Sequence, residues 1–186
     1  MTERRRGQSA GPKTLFTRRR WLRAGGSAAG LVAAGCLDRL GDEQDDEVPD
    51  ESDPIHPAYD TWEVTAETPA GDPLGSVTAA VADTPERRYT GLSETESLPD
   101  DRGMVFVYES VDDRVFVMRE MAFGIDIVYA DADGVVTEIH HAPAPGPDED
   151  GETHQYPGRG QYVLEVRYRW TADHGVEVGD VLRFER

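Results

Sequence analysis

The sequence predicts a mainly β domain, a small antiparallel barrel or two packed sheets, with one or two short helices. Three observations predict it. From Thr61 onward apolar and polar residues alternate with period two, the mark of half-buried strands. Clusters of Gly, Pro, Asp and Ser interrupt that alternation at short intervals. The chain has 186 residues, enough for one core and too few for two ordinary domains.

Taken in order, Trp62 to Ala66 and Ser76 to Val81 read as the first two strands, split by the turn-rich Pro69-Ala70-Gly71-Asp72-Pro73. A short helix follows: Thr84 serves as N-cap, Pro85 takes the first helical position, and Gly91 stops it. In that helix Arg87 and Arg88 are expected to face outward, with Tyr89 and Leu92 packed on the sheet. Met104 to Tyr108 and Arg114 to Met118 read as two further strands, with Ser110 to Asp113 between them. Ile125 to Ala130 and Val135 to His140 form the clearest hairpin, joined by Asp131-Ala132-Asp133-Gly134.

Residues 142–158 hold four prolines and three glycines and read as a long mobile loop, where binding is often found. Tyr162 to Val166 is a strand, a one-to-two-turn helix runs from Trp170 to His174 and stops at Gly175, and Val181 to Phe184 closes the domain. No internal repeat is present.

The first 35 residues read as an address. Thr17-Arg18-Arg19-Arg20-Trp21-Leu22 matches the twin-arginine export pattern, with Arg18 and Arg19 as its signal pair. The weakly apolar run 24–35 is too short to span a bilayer and fits a signal-peptide core. It ends in Leu31-Val32-Ala33-Ala34-Gly35-Cys36, a lipobox-like sequence. Cys36 is the chain's single cysteine, so no disulfide can form within one molecule. The expectation is that Cys36 is lipidated and becomes the first mature residue, anchoring the protein in membrane lipid on the outer face of the cell. Residues 36–60, acidic and proline-containing, read as a disordered tether, leaving 61–186 as the single folded domain.

Charge supports an unusual environment. Of 19 Lys+Arg and 37 Asp+Glu, eight basic residues and one acid lie in residues 1–35, leaving 11 basic against 36 acidic beyond them. Lys13 is the only lysine. Such an acidic surface repels itself in dilute salt, whereas at molar salt the Debye length is only about 3 Å. A dispersed carboxylate surface without lysine is the expectation for an extreme halophile of the archaeal kind. It also argues against nucleic-acid binding, because no basic stripe exists to neutralise phosphates.

Several segments resemble one known family. They are Asp83-Thr84-Pro85-Glu86-Arg87 with Gly91-Leu92, Ser97-Leu98-Pro99, Gly103 to Val107, Phe116-Val117-Met118-Arg119, Ile125 to Tyr129, Tyr162 to Val166, and His174 to Asp180. In this order they resemble domain of unknown function 192, an uncharacterised group of bacterial and archaeal proteins. The family's usual Trp is Val117 here, its Lys-Asn is Arg119-Glu120, and its Pro is Gly124. The resemblance implies a compact β-rich domain and carries no activity with it.

The candidate chemistry centres on Phe116 to Gly134. Asp126 stands alone among Ile125, Ile127, Val128 and Tyr129, and a buried charge without partners costs several kcal/mol (roughly). In a strand it shares a face with Val128 and Ala130. One reading makes Asp126 a base or ligand anchor, with Arg119 and Glu120 arriving from the preceding crossing. The other makes it a structural acceptor for backbone N–H groups of the irregular 119–124 segment, or for an Arg. The structural reading is favoured because it explains why the crossing needs an acceptor.

Other chemistry is weakly supported. Met118 and Met121 beside Phe116 and Phe123 read as core rather than as soft-metal ligands. His140 and His141, adjacent on a strand, point to opposite faces and do not share an ion. His154 lies in the loop and His174 at a helix end. No metal or cofactor motif is present, and neither a nucleophile elbow nor a phosphate-binding loop occurs. Ser93 and Ser97 have no traceable His partner. Tyr108, Tyr129, Tyr156, Tyr162 and Trp170 suit either a sugar-binding face or sheet packing.

The function these residues suggest is a non-catalytic binding or interaction module outside the cell, for a small molecule, glycan or envelope protein. Its candidate binding residues are Arg119, Glu120, Asp126 and His140. The rival is a small hydrolase or transferase using Asp126 with Arg119 or His140.

Overall fold

The structure, a computed structural model, describes residues 55–186. Arg18, Arg19 and Cys36 lie outside the described residues. Seven strands and two short helices follow in the order β1 (Thr61–Glu67), β2 (Pro73–Ala82), α1 (Pro85–Thr90), β3 (Arg102–Val117), β4 (Ile125–Ala130), β5 (Val136–Ala142), β6 (Gln155–Arg167), α2 (Trp170–His174) and β7 (Val181–Glu185). A single 3-10 turn, Gly151–Thr153, precedes β6. The domain is mainly β, as its alternation predicts.

The strands form one mixed sheet in the order β5-β4-β6-β3-β2-β1-β7. Every neighbouring pair is antiparallel except β2 and β3, which run parallel from Thr78↔Arg102 to Ala82↔Phe106. Parallel neighbours need a crossover rather than a tight turn, and here α1 and residues 91–101 supply it. Thr84 accepts a hydrogen bond from the Arg87 N–H at 3.2 Å, Pro85 opens the helix, and Gly91 ends it at φ 52°.

The sheet curls into a half-barrel whose edge strands meet at one end. Val135 bridges Val181, the Leu182 N–H donates to the Gly134 carbonyl at 2.8 Å, and the Val136 N–H donates to the Asp180 carbonyl at 2.8 Å. Gly134 permits this approach, because its φ is 83° and the Leu182 carbonyl occupies the place of a Cβ.

Two apolar clusters cover the two faces. One gathers Val64, Val77, Val105, Val128, Leu164, Val166 and Leu182 around Trp170 of α2. The other gathers Leu92, Met104, Phe106, Met118, Ile125, Ile127, Tyr129 and Val163 beneath α1 and the 118–124 crossing. Each buried Val or Leu contributes about 1.5–3 kcal/mol, so the faces that bury β4 and β6 on both sides anchor the sheet. That explains the near-continuous apolar runs of those two strands.

The structure corrects several local expectations. Residues 104–108 and 114–118 do not form separate strands. All but Met118 belong to β3, which pairs with β6 along its length and absorbs residues 108–111 as a bulge between Val107↔Tyr162 and Asp112↔Gly160. The Ser110 to Asp113 segment, expected to separate two strands, lies within β3, with Asp112 and Asp113 already paired to β6. Tyr89 is not packed on the sheet but is 68 % exposed, while Arg88 is half-buried. Arg88 turns inward because its Nη1 can donate to the carbonyls of Asp83 (2.7 Å) and Val107 (2.8 Å).

Within the 142–158 stretch, Gly151 accepts the Met118 N–H at 3.0 Å, and β6 begins at Gln155. Ahead of β1, His56 stacks on Tyr59 at 4.6 Å, and Ile55 and Tyr59 pack against the second cluster.

Candidate functional site

Asp126 is fully buried on the Trp170 face of the sheet, and its carboxylate is saturated with donors. Oδ1 accepts from the Arg169 N–H at 2.8 Å and from His141 Nδ1 at 2.7 Å. Oδ2 accepts from the Thr171 N–H at 2.9 Å and from the Thr171 hydroxyl at 2.5 Å. The partners are therefore the residues that start α2, not the 119–124 crossing. Arg169 precedes α2 in a left-handed conformation (φ 67°) and offers no side-chain cap, so a carboxylate from β4 takes the capping role. Trp170 is carried into the core between these two anchored residues.

A second buried carboxyl lies on the opposite face. Glu165 sits near the end of β6, 4 % exposed, paired across the sheet with Met104 of β3 and Ile127 of β4. Its carboxyl has no hydrogen-bond or ion-pair partner among the described residues. Burial pushes its pKa up to about 8, so near neutral pH it is held largely as the uncharged acid. Unpartnered buried polar groups are rare in folded proteins, and one facing a cavity is a candidate for function.

Glu165 lines a cavity of about 200 Å³ between α1, β3 and the crossing after β3. Phe106 and Phe116 form an apolar wall, edge to face at 4.8 Å. Tyr108 adds a phenol whose pKa is raised by burial, an effect opposed by Arg114 and Arg88. Arg88 lines the cavity with its guanidinium 4.8 Å above the Tyr108 ring. Arg119 lines it as well, lying 3.9 Å over the Tyr89 ring and donating to the Tyr89 carbonyl. The Ser93 hydroxyl donates to the Arg119 carbonyl at 3.0 Å, tying the end of α1 to the crossing.

The four binding candidates from the sequence do not converge. Arg119 lines the cavity. Glu120 is exposed at φ 55° and turns away from it. Asp126 lies on the other face. His140 is on the Glu165 side of the sheet but contacts the Pro157 carbonyl at 2.7 Å and sets its ring edge-on to Tyr129 at 6.0 Å. His141, not His140, meets Asp126. As the strand alternation requires, the two histidines do point to opposite faces. Among the described residues no group of three His, Cys, Asp or Glu is arranged to hold a metal ion.

Glu165 and Arg88 were not singled out by the sequence reading. A signal for Glu165 existed: in Tyr-Val-Leu-Glu-Val both faces of the strand are apolar, so an acid there is as anomalous as Asp126. Arg88 had no such signal, since its inward turn depends on β3 carbonyls brought near by the parallel crossover.

Comparison with solved structures recovers this architecture. A protein of Sinorhizobium meliloti 1021, described as a "putative transcription regulator", superposes with a TM-score of 0.60 at 23% identity, covering 68% of this chain and 95% of its own. A protein of unknown function from Novosphingobium aromaticivorans DSM 12444 gives 0.58 at 25% identity, covering 69% and 90%. At 23% identity the first likeness bears on the fold alone. No curated protein matches the chain. A family model described as an uncharacterised group, DUF192, matches residues 66–184, well over half of the sequence. The chain therefore belongs to the domain of unknown function 192 family.

Proposed function

We propose that this protein is a non-catalytic binding module, exported by the twin-arginine route and held on the outer membrane face through lipidated Cys36. Its ligand is a small molecule received in the Glu165 cavity. The observation that carries this reading is Glu165 itself, a buried acid without a partner among the described residues, facing a cavity lined by aromatic rings and two arginines. Keeping such a group lowers stability unless a ligand uses it. The export and anchoring part rests on the Arg18-Arg19 motif and the lipobox ending at Cys36, and the acidic, lysine-poor composition supports life in high salt.

The test is a thermal melt of the full-length chain at constant high salt and pH near 8, comparing wild type with Glu165→Met. An apolar side chain of similar size removes the desolvation cost, about 1–3 kcal/mol, so the variant should melt higher. A lower melting temperature would give Glu165 a structural role and remove the basis of this reading.

A second, catalytic reading keeps one observation in its favour. Asp126 orients His141 through Nδ1 while the His141 side chain stays 45% exposed, an arrangement used in general-base catalysis. The reacting group would be His141 rather than Arg119 or His140. No serine, threonine or cysteine hydroxyl or thiol bonds to His141 among the described residues, so the binding reading stands first.

A further inference from the structure

Resting on the cavity reading above, we propose that the ligand is a small monocarboxylate. Its head group is bound by Arg88, Arg119 and Glu165, and its apolar body lies against Phe106 and Phe116. Among the described residues, the charged ones lining the cavity are Arg88, Arg119 and Glu165. With Glu165 protonated, the ionised groups at the cavity are both positive, on a chain whose formal net charge is −18. A cavity of this sign on so acidic a protein selects anions against its own surroundings.

Donors remain to be used. Arg88 commits Nη1 to the carbonyls of Asp83 and Val107, while its Nε and Nη2 make no hydrogen bond among the described residues. Arg119 gives Nη2 to the Tyr89 carbonyl and keeps Nη1 4.0 Å from Glu152. Guanidinium forks are suited to carboxylates, and a protonated carboxyl adds one O–H donor. A cavity of about 200 Å³ suits a ligand smaller than a drug-sized molecule.

An acid ringed by aromatics would also suit an ammonium ion. Here, however, the two tyrosine rings already carry cations: Arg119 on Tyr89 at 3.9 Å, and Arg88 and Arg114 on Tyr108 at 4.8 and 3.4 Å. A further cation would meet like charge, so the carboxylate is favoured. The groups facing Glu165 are the phenols of Tyr108 on β3 and Tyr129 on β4, with Arg88 of α1 and Arg119 of the crossing lining the same cavity. Ionisation of Glu165 should therefore be the main event that weakens anion binding as pH rises.

The test is an NMR titration of the full-length chain at fixed high salt with butyrate, butylammonium and 1-butanol, three probes of one chain length and different head groups. Butyrate should bind at least tenfold more tightly than the other two, and its affinity should fall more than tenfold between pH 7 and pH 9.5, with Glu165 titrating near 8. In Glu165→Gln, whatever its affinity for butyrate, that affinity should be the same at pH 7 and pH 9.5. Tighter binding of butylammonium or butanol, or butyrate affinity that ignores pH in the wild type, would overturn the carboxylate class and leave the cavity reading in place. If no probe shifts the signals of Phe106, Tyr108 or Phe116, the cavity reading falls as well.

Discussion

Asp126 Oδ2 holds Thr171 twice, through its backbone N–H at 2.9 Å and its hydroxyl at 2.5 Å. A strand residue thereby caps a helix 45 positions later in the chain, and the helix carries Trp170 into the core. Asp126→Asn replaces one acceptor oxygen with a donor that faces other donors. The variant should be less stable by about 2–4 kcal/mol, as for other breaks in buried charged hydrogen-bond networks. Chemical denaturation at constant high salt checks it, and unaltered stability would mean that the network contributes nothing.

How far the site was legible in the sequence differs residue by residue. Asp126 was recognisable because its strand neighbours are apolar, and a structural acceptor was the favoured reading. Its donors were not recognisable, because Arg169 and Thr171 are joined to it only by the β4–β6 pairing that brings α2 over the sheet. The ends of α1 were readable from Thr84, Pro85 and Gly91, since caps are local chemistry. The direction its side chains face was not, because that depends on β3 running parallel to β2. Glu165 obeyed the same rule as Asp126 and was passed over. Two apolar-flanked acids on neighbouring strands end in opposite circumstances, one saturated with donors and one with none among the described residues, and only the packing around them decides which.

Membrane attachment is expected to depend on one atom. Cys36→Ser removes the sulfur that would carry the lipid, and a single acyl chain or none binds membranes only marginally. Fractionation of cells expressing the variant should find the protein released from membranes. Retention equal to wild type would contradict lipid anchoring at Cys36.

Adaptation to high salt, as proposed from the acidic composition, implies a salt dependence with a definite sign. Residues beyond 35 hold 36 acids and 11 arginines, whose repulsion is screened only when the Debye length is short. Melting temperature should fall as salt is lowered below about 0.5 M. Equal melting temperatures in low and molar salt would contradict adaptation to high salt.

The charge state of Glu165 has consequences for stability. Its pKa is raised in the fold from 4.5 to about 8, so between those values the folded state holds a proton that the unfolded state has released. Stability contributed by this group is present below about pH 4.5, declines through that window, and levels off above about 8, a loss on the order of a few kcal/mol. Glu165→Gln should lack this decline. The most direct measurement is a carbon-13 NMR titration of the Glu165 carboxyl in the full-length chain without added ligand. A midpoint near 8 is the predicted result, and an ordinary midpoint near 4.5 would contradict an unpartnered acid at the cavity.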